Sequence, residues 1–267
     1  MEVTNANELL GVTEKIIQTV EGLTDLFLIG ETKREHESGN IFSSQSIRIK
    51  AFSRFYFIVL VNDCVALKNT DLQERIESCT LNLDQMVVLV LPIGQFRVWF
   101  WSGQEFANSV VNKGTRLYTQ GNWLDSYEGP YAELESELEA ERLHTAAMVR
   151  VHEFMAGAEL YKLRRQYLMG LFMLHQCLEQ LLSAYFKKRT GLRLNTHNID
   201  RLLKYCSMFG EDLRVFNLLN ANDQRLQRLL KNSYIAARYN ETQKISEVDF
   251  DVIKKRIEDL ISKIKGY

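Results

Sequence analysis

The sequence has few residues that interrupt or cross-link a chain. Only two prolines, Pro92 and Pro130, occur among 267 residues, which argues against disordered linkers, mucin-like stalks and collagen-like segments. The four cysteines lie far apart, with no Cys-x-x-Cys pair and no histidine at ligand spacing; they are Cys64, Cys79, Cys177 and Cys206. The sequence therefore predicts no metal site and no disulfide framework, and it favours reduced thiols.

Long apolar runs are also missing. The strongest runs, 55–61 and 86–91, have seven and six residues, whereas a membrane-spanning helix needs about 20. Residues 1–25 carry polar and acidic groups throughout, so they do not look like a secretory signal. These absences predict a soluble protein of the cytoplasm with no membrane partner.

The composition that is present indicates a globular protein with two domains. Hydrophobic residues make up 46% of the chain and charged residues 25%, and this length accommodates two cores. The charge is divided unevenly, because residues 1–130 have a net charge of −5 and residues 142–267 a net charge of +9. The basic half favours a polyanionic partner, although solvated helix faces explain the same charge.

Residues 1–130 have the pattern of a small mixed α/β domain. The predicted order is helix 8–21, strand 23–29, strand 55–61, helix 71–79, strand 86–91, strand 95–101 and helix 103–112. In the predicted strand 95–101, Trp99 and Trp101 would share one face. That face would either stack bases or pack against the rest of the protein, and packing is favoured.

Residues 131–267 are almost entirely helical in pattern. Apolar residues recur at helical spacing over 133–160, 164–189, 197–207, 223–239 and 246–265. Thr196 is the predicted N-cap of the third helix, and Ser246 opens a sequence like a capping box. Five helices joined by short loops predict a helical bundle, so the expected fold class is α+β with two domains, 1–130 and 131–267.

Three segments of the helical half form a spaced pattern. They are Leu-His-Gln-x-x-Glu at 174–179, Thr-Gly at 190–191 followed by Thr-His at 196–197, and Ala-Arg-Tyr at 237–239. In order and spacing this pattern resembles the HEPN family, a small helical domain named for nucleotide binding in higher eukaryotes and prokaryotes. The resemblance covers about residues 142–265.

The resemblance implies candidate nucleotide-binding residues, which are His175, Glu179, His197, Arg238 and Tyr239. His175 and Glu179 share one helix face because they are four residues apart. Arg238 is in a position to meet Glu179 if the helices pack suitably. These residues are either a buried polar network that sets helix register or an anion site, and the first is favoured.

Active HEPN ribonucleases carry an Arg-x(4–6)-His motif. Here Arg238 is followed by Tyr-Asn-Glu-Thr-Gln-Lys, and no histidine occurs after His197. The nuclease motif is therefore absent, and we expect no catalytic residue of this type.

The first half resembles, more weakly, the minimal nucleotidyltransferases that accompany HEPN domains. That family has a strand ending in Gly-Ser and a strand with Asp-x-Asp, whose carboxylates hold Mg²⁺. This sequence retains Gly30, but has Glu31 in place of the serine, and Phe55 and Phe57 in place of the aspartates. The resemblance implies a degenerate, inactive nucleotidyltransferase-like domain, and another small α/β domain stays an alternative.

The expected function is a non-catalytic, nucleotide- or RNA-associated binding protein without a cofactor. The family resemblance implies a homodimer formed through the helical half and a role in a toxin–antitoxin or defence system. Two alternatives remain: an enzyme, either an unorthodox ribonuclease using His175 or His197 or a nucleotidyltransferase with relocated carboxylates, and a purely structural interaction module.

Overall fold

A computed structural model describes most of the chain. The described residues are 3–38, 47–65, 69–78, 86–121, 123, 137–194, 196–210, 212–217, 219–239 and 244–265. They divide into two compact units, Met1–Leu134 and Glu135–Tyr267.

The first unit contains a four-stranded sheet and helices. Its described elements are α1 (Val3–Thr19), β1 (Leu23–Ser38), β2 (Ile47–Val61), α2 (Asn69–Ser78), β3 (Met86–Pro92), α3 (Ile93–Trp101), α4 (Glu105–Lys113) and β4 (Thr115–Thr119). The strand order is β3-β2-β1-β4, in which only the β2–β3 pair is parallel. The parallel pair is connected through α2, as a parallel connection requires a crossover.

The core of this unit lies on both faces of β2. Residues 54–61 are all buried, which agrees with their continuous apolar pattern. On one face Phe55, Phe57 and Val59 pack with residues of α1 and α2, including Ile16 and Ile76. On α3, Phe96 is fully buried and its ring lies 6.5 Å from that of Phe27 on β1.

The predicted strand 95–101 is wrong, because these residues form helix α3. Pro92 ends β3 in an extended conformation and becomes the N-cap residue of α3. The Asp63 carboxylate then accepts a hydrogen bond from the Gly94 N–H at 3.0 Å, in the first turn. Trp99 and Trp101 therefore do not share a strand face, because residues two apart on a helix point in different directions. Their aromatic character suggested β-structure, but tertiary packing overrides such propensities.

Strand β1 is longer than the predicted strand 23–29. It continues to Ser38, and Gly30 pairs with Tyr56 inside the β1–β2 hairpin. Residues 31–38, which follow the predicted strand, are therefore part of β1, and residues 39–46 lie outside the described part. The short strand β4, which pairs with β1, was not predicted.

The second unit is helical throughout its described elements. These are α5 (Glu137–Leu163), α6 (Tyr167–Thr190), α7 (Ile199–Cys206), a 3-10 turn (Ser207–Phe209), α8 (Ala221–Tyr239) and α9 (Glu247–Lys265). The helical character predicted from residue 133 onward is confirmed, except that 131–136 lie outside the described residues.

Local sequence explains several helix ends. Gly191 ends α6 in the left-handed conformation, with φ of 75°, which glycine adopts without strain. The Ser246 hydroxyl accepts a hydrogen bond from the Asp249 N–H at 3.1 Å, as the predicted cap requires. The predicted N-cap at Thr196 is wrong, because Asn198 caps α7 by accepting from the Arg201 N–H at 3.2 Å.

Candidate functional site

Helix α6 carries two buried polar side chains, one turn apart. His175 and Glu179 are each only 4% exposed in a helix whose other buried side chains are mostly apolar. Buried polar groups of this kind are retained where they find partners, so their contacts define the site.

Glu179 accepts hydrogen bonds from Gln176 on its own helix and from His197 on the segment before α7. One carboxylate oxygen accepts from Nδ1 of His197 at 2.9 Å, and the other accepts from the Gln176 amide at 3.2 Å. The His197 side chain is itself 72% exposed. The pair therefore joins a buried carboxylate to an imidazole that faces solvent.

Tyr234 on α8 is the centre of the site. Its ring is stacked with that of His175 at 4.9 Å between centroids and with that of His197 at 6.2 Å. The guanidinium carbon of Arg238 lies 4.0 Å from the centroid of the same ring. Tyr234 was not predicted from the sequence, although its position four residues before Arg238 places both on one face of α8.

Arg238 is held by aromatic rings. Its guanidinium contacts Tyr234 and, at 5.9 Å, the Phe172 ring on α6. The anticipated contact with Glu179 is not formed among the described residues, because His197 occupies that carboxylate and Tyr234 supplies the guanidinium with an aromatic face. A stacked arginine keeps its N–H groups available at the edge of its plane.

Tyr239 does not join the other candidates in these contacts. It is the last residue of α8 and is 73% exposed. The described structure thus brings together His175, Glu179, His197 and Arg238 around Tyr234, and it leaves Tyr239 at the surface.

Burial disfavours the protonated form of His175. Loss of solvent lowers the pKa of His175 below its ordinary value; the Leu230 carbonyl, Glu179 and the His197 backbone oppose this effect, and the charge of Arg238 adds to it. Nδ1 lies 3.2 Å from the Leu230 carbonyl oxygen. Since a carbonyl only accepts, Nδ1 carries the proton of the neutral ring.

The described residues contain no cluster of three or more His, Cys, Asp or Glu side chains able to hold a metal ion. Cys177 is buried, and burial raises the pKa of its thiol to about 12, so this cysteine is not a reactive thiolate. Cys64 is exposed and Cys206 is buried, both as free thiols, while Cys79 lies outside the described residues.

The first unit places the positions compared with nucleotidyltransferases in its core or in a hairpin. Phe55 and Phe57 are completely buried, and Gly30 lies within paired strands. One buried polar group of this unit is Asp25, whose carboxylate accepts from the Trp123 indole N–H at 2.7 Å and from the Arg116 guanidinium. These bonds attach β4 and Trp123 to β1, which is a structural role that the sequence did not reveal.

Within the described part of the chain, no helix is both long enough and apolar enough to cross a membrane. A comparison with curated proteins found no match. The family model of the HEPN domain matches residues 148–267, a range that contains the whole site around Tyr234. This match supports the helical part of the predicted resemblance: residues 148–267 are similar to the HEPN domain.

Proposed function

We propose that the helical unit is a non-catalytic module that binds RNA or a nucleotide through a phosphate group at Arg238. The HEPN match suggests a function related to nucleotides or RNA. The observation that carries the proposal is the environment of Arg238, which is exposed, stacked on Tyr234 and Phe172, and without a carboxylate partner among the described residues.

Two other arginines of the unit differ from Arg238 because they are paired with carboxylates. Arg225 is bonded to Asp249 at 2.9 Å, and Arg256 to Asp223 at 2.8 Å. An arginine already paired with a carboxylate has its charge compensated, whereas a stacked arginine still offers charge-assisted hydrogen bonds to a phosphate.

The test is the binding of a fluorescent single-stranded oligouridylate, measured by anisotropy at several salt concentrations. We expect Arg238→Gln to weaken binding by about 10- to 100-fold, as for the loss of a hydrogen bond to a charged group. The slope of log affinity against log salt should fall by about 0.7 for the lost phosphate contact.

Arg228→Gln is the matched control, because Arg228 is an exposed arginine of the same helix whose side chain bonds to the Gln224 carbonyl. This variant removes the same charge and should keep nearly normal affinity. Equal effects of the two substitutions would indicate non-specific attraction to a basic surface. No binding by the unmodified protein would leave the purely structural interpretation of the site.

A second candidate function is RNA cleavage, and the His197–Glu179 pair is the observation that favours it. A carboxylate bonded to Nδ1 orients an imidazole and leaves Nε2 to act as a base. His175 is less suitable because it is buried. Incubation of labelled RNA with the unmodified protein and with His197→Asn separates the candidates, since cleavage lost in the variant would replace the non-catalytic proposal.

The homodimer and the toxin–antitoxin or defence role remain predictions of the family resemblance. The degenerate nucleotidyltransferase character of the first unit is also a proposal, supported by the burial of Phe55 and Phe57. Sedimentation velocity tests the dimer directly.

A further inference from the structure

His175 has one ring nitrogen without a hydrogen-bond partner. The side chain is 4% exposed, and its buried Nε2 atom has no hydrogen bond of good geometry within the described structure, although the His197 backbone favours the protonated ring. Because Nδ1 donates to Leu230, Nε2 of the neutral ring is an acceptor with no donor. A buried acceptor left in this state is unfavourable, and the addition of a proton would convert it into a donor.

Titratable and charged groups lie near His175 on three segments of the unit. Glu179 lies on its own helix, His197 on the segment before α7, and Arg238 on α8 together with the Tyr234 phenol. Glu179 favours the protonated ring and Arg238 opposes it. Arg238 and His175 also stack on the same tyrosine ring, at 4.0 and 4.9 Å from its centroid, so the two groups are close enough to interact electrostatically.

We infer that binding of an anion at Arg238 is coupled to the uptake of a proton at Nε2 of His175. The inference rests on the phosphate-binding role proposed for Arg238. A bound phosphate compensates the arginine charge and so removes one of the two effects that keep His175 neutral. By linkage, a proton on His175 must strengthen anion binding to the same extent that the anion favours the proton. Affinity should therefore rise as the pH falls, by at most about tenfold per pH unit for one proton.

The first test needs no ligand. The protonation of His175 is followed by the NMR signals of its ring carbons, in the unmodified protein, in Arg238→Gln and in the matched control Arg228→Gln. We expect the pKa of His175 to rise in Arg238→Gln and to stay unchanged in Arg228→Gln. An unchanged pKa in Arg238→Gln would overturn the coupling.

The second test measures proton uptake on binding. The probe is an oligouridylate with hydroxyl ends, chosen so that the ligand itself does not titrate near neutral pH. Calorimetry in two buffers of different ionisation enthalpy gives the number of protons taken up. NMR titration of the unmodified protein, with and without the probe, shows which histidine gains the proton without requiring a variant that disturbs the core.

We expect the proton uptake on binding to be lost in His175→Gln and kept in His197→Gln. Uptake that is lost only in His197→Gln, or a pKa of His175 that the probe does not raise, would overturn the inference. If no RNA binds, the proposed function fails, and the ligand-free titration still decides whether Arg238 controls the protonation of His175.

Discussion

Tyr234 shows how one residue organises groups that are distant in sequence. His175 and His197 are 22 positions apart, and Arg238 lies 41 positions beyond His197, yet all three approach one ring. The motif identified His175, Glu179, His197 and Arg238 as the polar set. It did not identify Tyr234, because an aromatic residue at helical spacing ordinarily indicates core packing.

His175 should make the stability of the folded protein depend on pH. Its pKa in the folded state is lowered, so the unfolded state binds more protons between the folded value and the ordinary value of about 6.5. Stability should therefore increase as the pH rises through that interval and should be constant above it. The measurement is the melting temperature from about pH 5 to about pH 8, compared with His175→Gln.

In His175→Gln the contribution of this titration to stability disappears, so the melting temperature should depend less on pH. Glutamine retains a donor for the Leu230 carbonyl, so the comparison isolates titration from the loss of a hydrogen bond. A variant with the same pH profile as the unmodified protein would show that other groups cause the dependence.

Helix α3 shows that a local sequence pattern does not always determine whether a segment forms a helix or a strand. The aromatic run in α3 had the composition of a strand, but the hydrogen bond from the Gly94 N–H to the Asp63 carboxylate and the burial of Phe96 favour a helix there.

Gly170 is a helix residue in spite of the low helix propensity of glycine. A Cβ atom at this position would lie 2.6 Å from the Phe250 ring on α9 and 3.4 Å from the Ala158 carbonyl oxygen.

We expect Gly170→Ala to lower the free energy of unfolding, because the added methyl overpacks the contact with α9 at a cost of about 1–3 kcal/mol. The gain in helix propensity returns about 1 kcal/mol, so the net loss should be up to about 2 kcal/mol. The measurement is chemical denaturation followed by circular dichroism.

Gly157→Ala on α5 is the matched control. A Cβ atom there would meet Met173 at 3.5 Å, which is an ordinary contact with a flexible side chain. This substitution should be neutral or stabilise by up to about 1 kcal/mol. Similar losses in both variants would contradict the packing explanation.

The whole chain is organised as two compact units, Met1–Leu134 and Glu135–Tyr267. The first has a sheet core around β2, and the second a helical core whose buried residues include Leu174, Leu202 and Phe250. Each unit thus has apolar material of its own, as independent domains require.

We expect the isolated segment 135–267 to fold without the first unit. Its circular dichroism spectrum should be helical and its thermal unfolding a single cooperative transition, because the contacts among α5 to α9 lie within the segment. Binding of oligouridylate at the affinity of the full chain would assign the proposed site to this unit. Absence of a cooperative transition would mean that the helical core depends on residues 1–134.

Much of the architecture follows from local patterns in the chain. The continuous apolar runs at 55–61 and 86–91 correspond to buried strands, and the helical periodicity after residue 133 corresponds to α5–α9, because burial of apolar side chains sets both periods. Gly191 and Ser246 mark helix ends through properties of single residues. The motif also selected four of the five side chains of the site.

Contacts between distant segments depended on three-dimensional packing. The choice of His197 as the partner of Glu179, the stacking of Arg238 on Tyr234 and the unbonded Nε2 of His175 follow from how α6 and α8 approach each other. No local pattern in one helix encodes the distance or orientation of another. The same reason explains α3, where contacts from Asp63 and Phe27 overcame the strand preference of an aromatic sequence.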